Sequence, residues 1–101
     1  MNRTRLMSLL GLAQKAGKIA SGEVAVEYAV RSGKARLVLV AADASENTKK
    51  SYRDLSTYYE VACYEGLSKD EFGHATGKPP RAAIAVTDAG FGKAIGETFK
   101  V

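Results

Sequence analysis

The sequence predicts an α/β fold: a three-layer α/β/α sandwich on a small mixed sheet of about four strands. Three observations carry that expectation. Residues 37–42, Leu-Val-Leu-Val-Ala-Ala, form an unbroken apolar run that is rich in β-branched residues and too short for a membrane span. Such a run suits a central strand buried on both faces. Segments with helical apolar spacing alternate with short apolar runs along the chain, and glycines or capping residues separate them.

In chain order, the spacing predicts a first helix over residues 5–16 with Thr4 as N-cap. Leu6, Leu9, Leu10 and Ala13 form its apolar face. Gly17 stands where a C′ glycine belongs, and Lys15 and Lys18 flank the negative end of the helix dipole. Ile19-Ala20 reads as a very short strand. Ser21-Gly22-Glu23 then opens a second helix that runs to residue 31 or 32 and stops at Gly33, with Val24, Ala25, Tyr28 and Ala29 expected inside.

After the central strand, Asp43 ends the apolar run and Ser45-Glu46 reads as an N-cap with an acidic first turn. A third helix over 46–58 carries few apolar residues (Tyr52, Leu55, Tyr59) and several basic ones (Lys49, Lys50, Arg53), which predicts a surface helix with one narrow buried stripe. Residues 60–64 read as a strand, burying Cys63. Ser68 and Glu71 match a capping box, so a short helix follows through Phe72 and ends near Gly77, before Pro79-Pro80. Residues 81–87 make the last strand. Asp88 caps a final helix expected to pack through Phe91, Ile95 and Phe99.

The 101 residues suit one domain spanning 1–101, large enough to bury a core without metal or disulfide staples. A formal net charge of +4 favours an anionic partner, nucleic acid before membrane. The single cysteine, Cys63, rules out an internal disulfide and fits a reducing cytoplasm. No apolar stretch approaches the ~20 residues of a spanning helix, so a soluble, cytoplasmic protein with no membrane partner is expected.

Chemistry-bearing patterns are sparse. His74 and Cys63 are the only residues of their types; one is expected on the surface and the other in the core, too far apart for a nucleophile–base pair. No metal-ligand spacing and no phosphate-binding glycine motif occurs, so no catalytic residue, metal or cofactor is expected. Asp43 reads as a turn or cap residue. The stronger signal is a pair of turns, Ser21-Gly22-Glu23 and Gly66-Leu67-Ser68-Lys69. Both lead into helix N-termini, where unpaired amides attract phosphates, and Lys18, Lys34, Arg36 and Lys69 are placed to flank them.

Further residues carry a family resemblance: Ala16-Gly-Lys-Ile-Ala-Ser-Gly22, residues 34–43, Ser68-Lys-Asp-Glu-Phe-Gly73 with Gly77, and Ala82-Ala-Ile-Ala-Val86. Over nearly its whole length the chain resembles short bacterial members of the ribosomal-protein superfamily that binds RNA kink-turns. The archaeal and eukaryotic large-subunit kink-turn proteins are of this type. The resemblance implies a non-catalytic RNA-binding protein, monomeric and ribosome-associated, that grips a kink-turn or similarly bent helix–bulge–helix, with ribosomal RNA among its candidate partners. By the same resemblance Gly22 falls on the family's glycine in the turn into the second helix. Lys18 falls on an upstream basic position, and Ser68 and Lys69 on the second loop. Together with the turn residues and the cations placed to flank them, the expected RNA-binding set is Lys18, Ser21, Gly22, Glu23, Val24, Lys34, Arg36, Ser68 and Lys69.

The chain departs from the family where base reading is concentrated. The family's Asn-Glu pair falls on Val24 and Ala25, and its helical lysine on Tyr28. Valine and alanine cannot hydrogen-bond a base edge, so phosphate and shape recognition are favoured over base readout. The alternative is a protein-interaction module on the same fold with weak or lost RNA binding. A third reading, a small enzyme using the strand-end crevice at Asp43, requires a deep pocket of polar groups with perturbed pKa values.

Overall fold

The computed structural model describes residues 1–100 and places five helices among four strands. In order these are α1 (Arg3–Lys15), β1 (Ile19–Ser21), α2 (Glu23–Arg31), β2 (Leu37–Val40), α3 (Glu46–Tyr58), β3 (Ala62–Glu65), α4 (Lys69–Thr76), β4 (Ala83–Val86) and α5 (Ala89–Glu97). The strands form one mixed sheet in the order β1-β4-β2-β3. β4 is antiparallel to both β1 and β2, and β3 is parallel to β2. Strands β1, β2 and β3 therefore run one way, and β4 alone runs the other. One edge of the sheet consequently receives the C-terminal ends of three strands and the N-terminal end of the fourth.

Helices α2 and α3 cover one face, α2 over β1 and β4 and α3 over β2 and β3; α1, α4 and α5 pack together on the other. This is the three-layer α/β/α arrangement expected. The apolar run at 37–40 is buried at every position, and so is β4 beside it, because both are interior strands with helices above and below. Leu6, Leu10, Phe72 and Ile95 fill the first interlayer space, and Val26 and Val30 the second, all at most 1% exposed. Each such side chain contributes roughly 1.5–3 kcal/mol.

Several boundaries and faces differ from the sequence reading. Helix α1 begins at Arg3, because Asn2 rather than Thr4 is its cap and accepts the Arg5 N–H at 3.1 Å. The inner face of α2 is Val26, Ala29 and Val30, while Val24 is 87% and Tyr28 62% exposed. Both stripes have helical spacing; the observed one buries two valines and keeps the phenol of Tyr28 in water. Strand β2 spans Leu37–Val40, shorter than the predicted run, although the Ala41 N–H still reaches Ala82 C=O and the Ala42 N–H reaches Leu67 C=O, in line with the two neighbouring strands.

Helix α3 has the expected bounds and the expected cap, Ser45 Oγ accepting the Thr48 N–H at 3.1 Å. Its buried stripe, however, is Lys49, Tyr52 and Ser56, with Leu55 and Tyr59 half-buried. Lys49 is not a solvated surface charge: its stem lies against β3 and its ammonium meets Glu65 Oε1 at 2.9 Å. Strand β3 starts at Ala62, after Glu60 takes a positive φ of 58° in the turn that ends α3. It is an edge strand, so Cys63 is half-buried rather than buried.

The capping box at Ser68 and Glu71 is present in both directions, and Gly77 ends α4 in the left-handed conformation. Gly73 is there for space: a Cβ would sit 2.7 Å from the carbonyl oxygens of Lys78 and Pro79. Strand β4 spans Ala83–Val86, shorter at both ends than the predicted run. Asp88 caps α5, but Phe99 lies beyond the helix and stacks on Tyr64, ring centroids 4.8 Å apart. No helix among the described residues is long and apolar enough to cross a membrane.

Candidate nucleic-acid interface

The strand directions bring three helix N-termini to one sheet edge, because α2, α3 and α4 each follow a strand that ends there. Such ends carry unpaired amides and a positive dipole, but the three are not equivalent. Ser45 caps α3. Ser68 caps α4, Glu71 Oε1 accepts the Ser68 N–H at 2.8 Å, and Asp43 Oδ1 accepts the Lys69 N–H at 2.9 Å. Asp43 is thus a helix-end acceptor, as its place after the strand suggested. Helix α2 has no side-chain cap at all, although α1, α3, α4 and α5 each have one. Its first helical bond runs from Val26 N–H to Gly22 C=O, which leaves the amides of Glu23, Val24 and Ala25 ahead of the ladder.

Gly22 explains why a side-chain cap is missing. Its φ of 96° and ψ of 160° lie in a region open essentially to glycine alone. A Cβ there would find its nearest neighbour, Arg81 Nε, 3.9 Å away, so the restriction is conformational rather than a clash inside the protein. The turn exposes bare backbone at the mouth of α2. Beside it lies a shallow concavity lined by Ser21, Gly22, Glu23, Val24, Ala25, Tyr28 and Arg81.

Arg81 is the residue that sequence reasoning missed. Its Nε donates to Ser21 Oγ at 3.1 Å and its backbone N–H to Lys69 C=O at 3.1 Å, which ties the two turns together. Its place there follows from β4 running against its neighbours, a long-range fact with no local signature. The only sequence hint was a basic residue immediately after Pro79-Pro80 and before an apolar run.

The structure divides the nine positions named from sequence. Ser21, Gly22, Glu23, Val24, Ser68 and Lys69 lie at the edge just described. Lys18, Lys34 and Arg36 do not. Lys18 C=O accepts from Thr87 N–H, and Arg36 N–H donates to Val86 C=O, both beside the far end of β4. At ~3.3 Å per residue, a strand of this length separates the two edges by roughly 10–13 Å. Lys34 follows the C-terminus of α2, and its ammonium lies 5.5 Å from the Tyr28 ring centroid.

Nothing at this edge resembles a catalytic centre. Cys63 lines a small pocket with Arg53 on the α3 side of the sheet, whereas His74 is exposed on α4 in the opposite layer. Burial pushes the Cys63 thiol up, outweighing the opposing influences of Ser56 and Arg53, so it is a poor nucleophile at neutral pH. Among the described residues no group of three or more His, Cys, Asp or Glu side chains could hold a metal ion.

Residues 4–95 match the profile of the ribosomal protein L7Ae/L30e/S12e/Gadd45 family. The chain is 48% identical over 92 residues to the RNA-binding protein YlxQ of Enterococcus faecium, covering 91% of this chain and 88% of that one. It is 45% identical over 83 residues to the RNA-binding protein YlxQ of Bacillus subtilis (strain 168), covering 82% and 83%. A solved structure of a Bacillus halodurans protein of unknown function superposes with a TM-score of 0.91 at 34% identity, covering 96% of this chain and 98% of that one. The Giardia lamblia 15.5kD RNA binding protein shares the fold, with a TM-score of 0.79 at 21% identity over 97% and 84% of the two chains.

Proposed function

The chain belongs to the ribosomal protein L7Ae/L30e/S12e/Gadd45 family, and from that premise we propose that it is a non-catalytic RNA-binding protein whose α2 edge grips a kink-turn or similarly bent RNA. The observation that carries the reading is the open N-terminus of α2. Three amides precede the helical ladder there with no side chain to satisfy them, next to a glycine with no Cβ and to the guanidinium of Arg81. That arrangement offers an anion donors, a positive dipole and close approach in one place. The two relatives named as RNA-binding proteins support RNA as the anion.

In this reading Ser21, Gly22, Glu23 (through its backbone amide), Val24, Ser68, Lys69 and Arg81 form the contact surface, and Lys18, Lys34 and Arg36 lie outside it. Recognition rests on backbone and shape, since Val24 and Ala25 carry no base-reading group. We take the chain to act as one RNA-binding domain, monomeric and cytoplasmic, with ribosomal RNA a candidate partner. Binding of the purified protein to a kink-turn RNA and to a straight duplex of equal length tests this: the kinked RNA binds more tightly, and equal affinities would remove the specific reading.

A second reading, a protein-interaction surface on the same edge, is favoured by the exposure of Val24 and Tyr28 on adjacent turns of α2. Absence of binding to either RNA would favour it.

A further inference from the structure

The surface between α2 and α3 opens into a groove of about 410 Å³ that shares only Glu23 with the concavity at the mouth of α2. Its character is opposite to that of the chain, which carries a net charge of +4. Glu23 and Glu27 form one wall, and Asn47, Ser51 and Tyr52 the other. The carboxylate-bearing positions are four residues apart on one helix, so about 6 Å of axial rise separates them, which is the span between the ends of a four-carbon diamine. Arg31 at the far end is already engaged, its Nε bonding Glu27 Oε1 at 2.9 Å and its Nη1 bonding the Tyr59 hydroxyl at 3.2 Å. That bond uses one oxygen of Glu27, and among the described residues Glu23 makes no ion pair.

Tyr52 points independently to a ligand. The residue is only 7% exposed and lines the groove, yet among the described residues its hydroxyl makes no hydrogen bond. A phenol that deep in a fold normally finds a partner. Burial, reinforced by the carboxylates of Glu23 and Glu27, pushes its pKa up to about 12, so the oxygen stays protonated and neutral beside them.

We propose that this groove binds a linear diamine of the polyamine class, with one ammonium at Glu23, the other at the free oxygen of Glu27, and the aliphatic chain against Tyr52. The hydroxyl of Tyr52 and the side-chain oxygens of Asn47 and Ser51 supply further acceptors, matching the three donors of a primary ammonium. The site needs no RNA, so its test is separate from that of the RNA interface.

The test is a titration of the isotopically labelled protein with putrescine, followed by amide chemical shifts at constant ionic strength. n-Butylamine serves as the single-headed control and sodium chloride as the salt control. The expected result is saturable shifts at residues 23, 27, 47, 51 and 52, with putrescine binding at least several-fold more tightly than n-butylamine. Glu23→Gln should reduce putrescine to the level of n-butylamine, and Tyr52→Phe should weaken it several-fold. Glu27→Gln, a surface change, provides the same readout should Tyr52→Phe melt markedly lower. Equal binding of the two amines would overturn the diamine assignment and leave a pocket for a single basic side chain. Shifts that follow salt alone, or that fall on other residues, would overturn the site itself.

Discussion

Replacing Gly22 by alanine separates the two reasons a glycine occupies this turn. The φ of 96° with ψ of 160° is a conformation that alanine adopts at a cost of about 1–3 kcal/mol. No clash adds to this, since the nearest atom to the new Cβ would be Arg81 Nε at 3.9 Å. If the backbone instead relaxes to a negative φ, the Gly22 N–H loses its bond to Ala83 C=O and the entry into α2 turns with it. Either route lowers stability. With about 4–8 °C per kcal/mol for a domain of this size, Tm should fall by roughly 5–20 °C. RNA binding, measured well below that Tm, should fall further than stability explains, because the methyl group projects where the RNA backbone would approach the bare amides. Asn in place of Gly17, whose φ of 72° also favours glycine, is the control: it lies at the other sheet edge and should alter stability alone. A Gly22→Ala protein with unchanged Tm would refute the strain argument. One that melts lower but binds fully would place the RNA elsewhere.

The salt dependence of RNA binding should be shallow. With Lys69 and Arg81 as the side-chain cations at the edge, the log–log slope is expected near −2, and Lys69→Ala or Arg81→Ala should remove about one unit each. Alanine at Lys18, Lys34 or Arg36 should leave it unchanged, which filter binding over a salt series would check. Val24→Asn combined with Ala25→Glu should tighten binding to a kink-turn by roughly 1–3 kcal/mol per bond regained; Val24 is 87% exposed and Ala25 half-buried, so any fall in melting should come from the second change. Tyr52 should sensitise the fold to alkali. Its pKa is about 12 when folded against an ordinary 10, so the neutral form is favoured by folding, and the associated stability is complete below pH 10 and lost as pH rises through 12. The loss amounts to about 2–3 kcal/mol. Urea melts at pH 9 and 11 would capture about half of it, roughly 1.3 kcal/mol, and Tyr52→Phe should abolish that part of the decline.

What was legible in the sequence was whatever is decided locally. Ser45, Ser68 with Glu71, and Asp88 are caps because a hydroxyl or carboxylate reaches an amide three residues on, and spacing alone states that. The run at 37–40 is buried because no other environment suits four consecutive β-formers. Which face of α2 turns inward was not decided locally. Two stripes had helical spacing, and the sheet beneath selected the one through Val26 and Val30. Where the flanking cations lie was not decided locally either. Lys18 and Gly22 are close in sequence but stand at opposite ends of β1, and Arg81 joins Ser21 only because β4 runs backwards between β1 and β2.

That reversal has a consequence for how the edge attracts an anion. In an all-parallel sheet the edge would collect strand ends and helix N-termini, and no residue entering a strand. Here the antiparallel β4 delivers Arg81 into the middle of them, fixed by Ser21 Oγ on one side and by the Lys69 carbonyl on the other. Asp43 and Glu71 meanwhile occupy the amides at the start of α4. Two of the three converging helix ends are therefore satisfied from within, and the unpaired donors that remain are the amides at the start of α2, beside one held guanidinium. Backbone amides release no counterions when they meet a phosphate, and a guanidinium already held in place loses little freedom on binding. A surface built this way selects for a backbone bent to fit it rather than for the mere density of charge. It follows that polyanions of no fixed shape should compete poorly with a kinked RNA for this protein. Competition by heparin in proportion to its charge would show that the edge works as a simple basic patch.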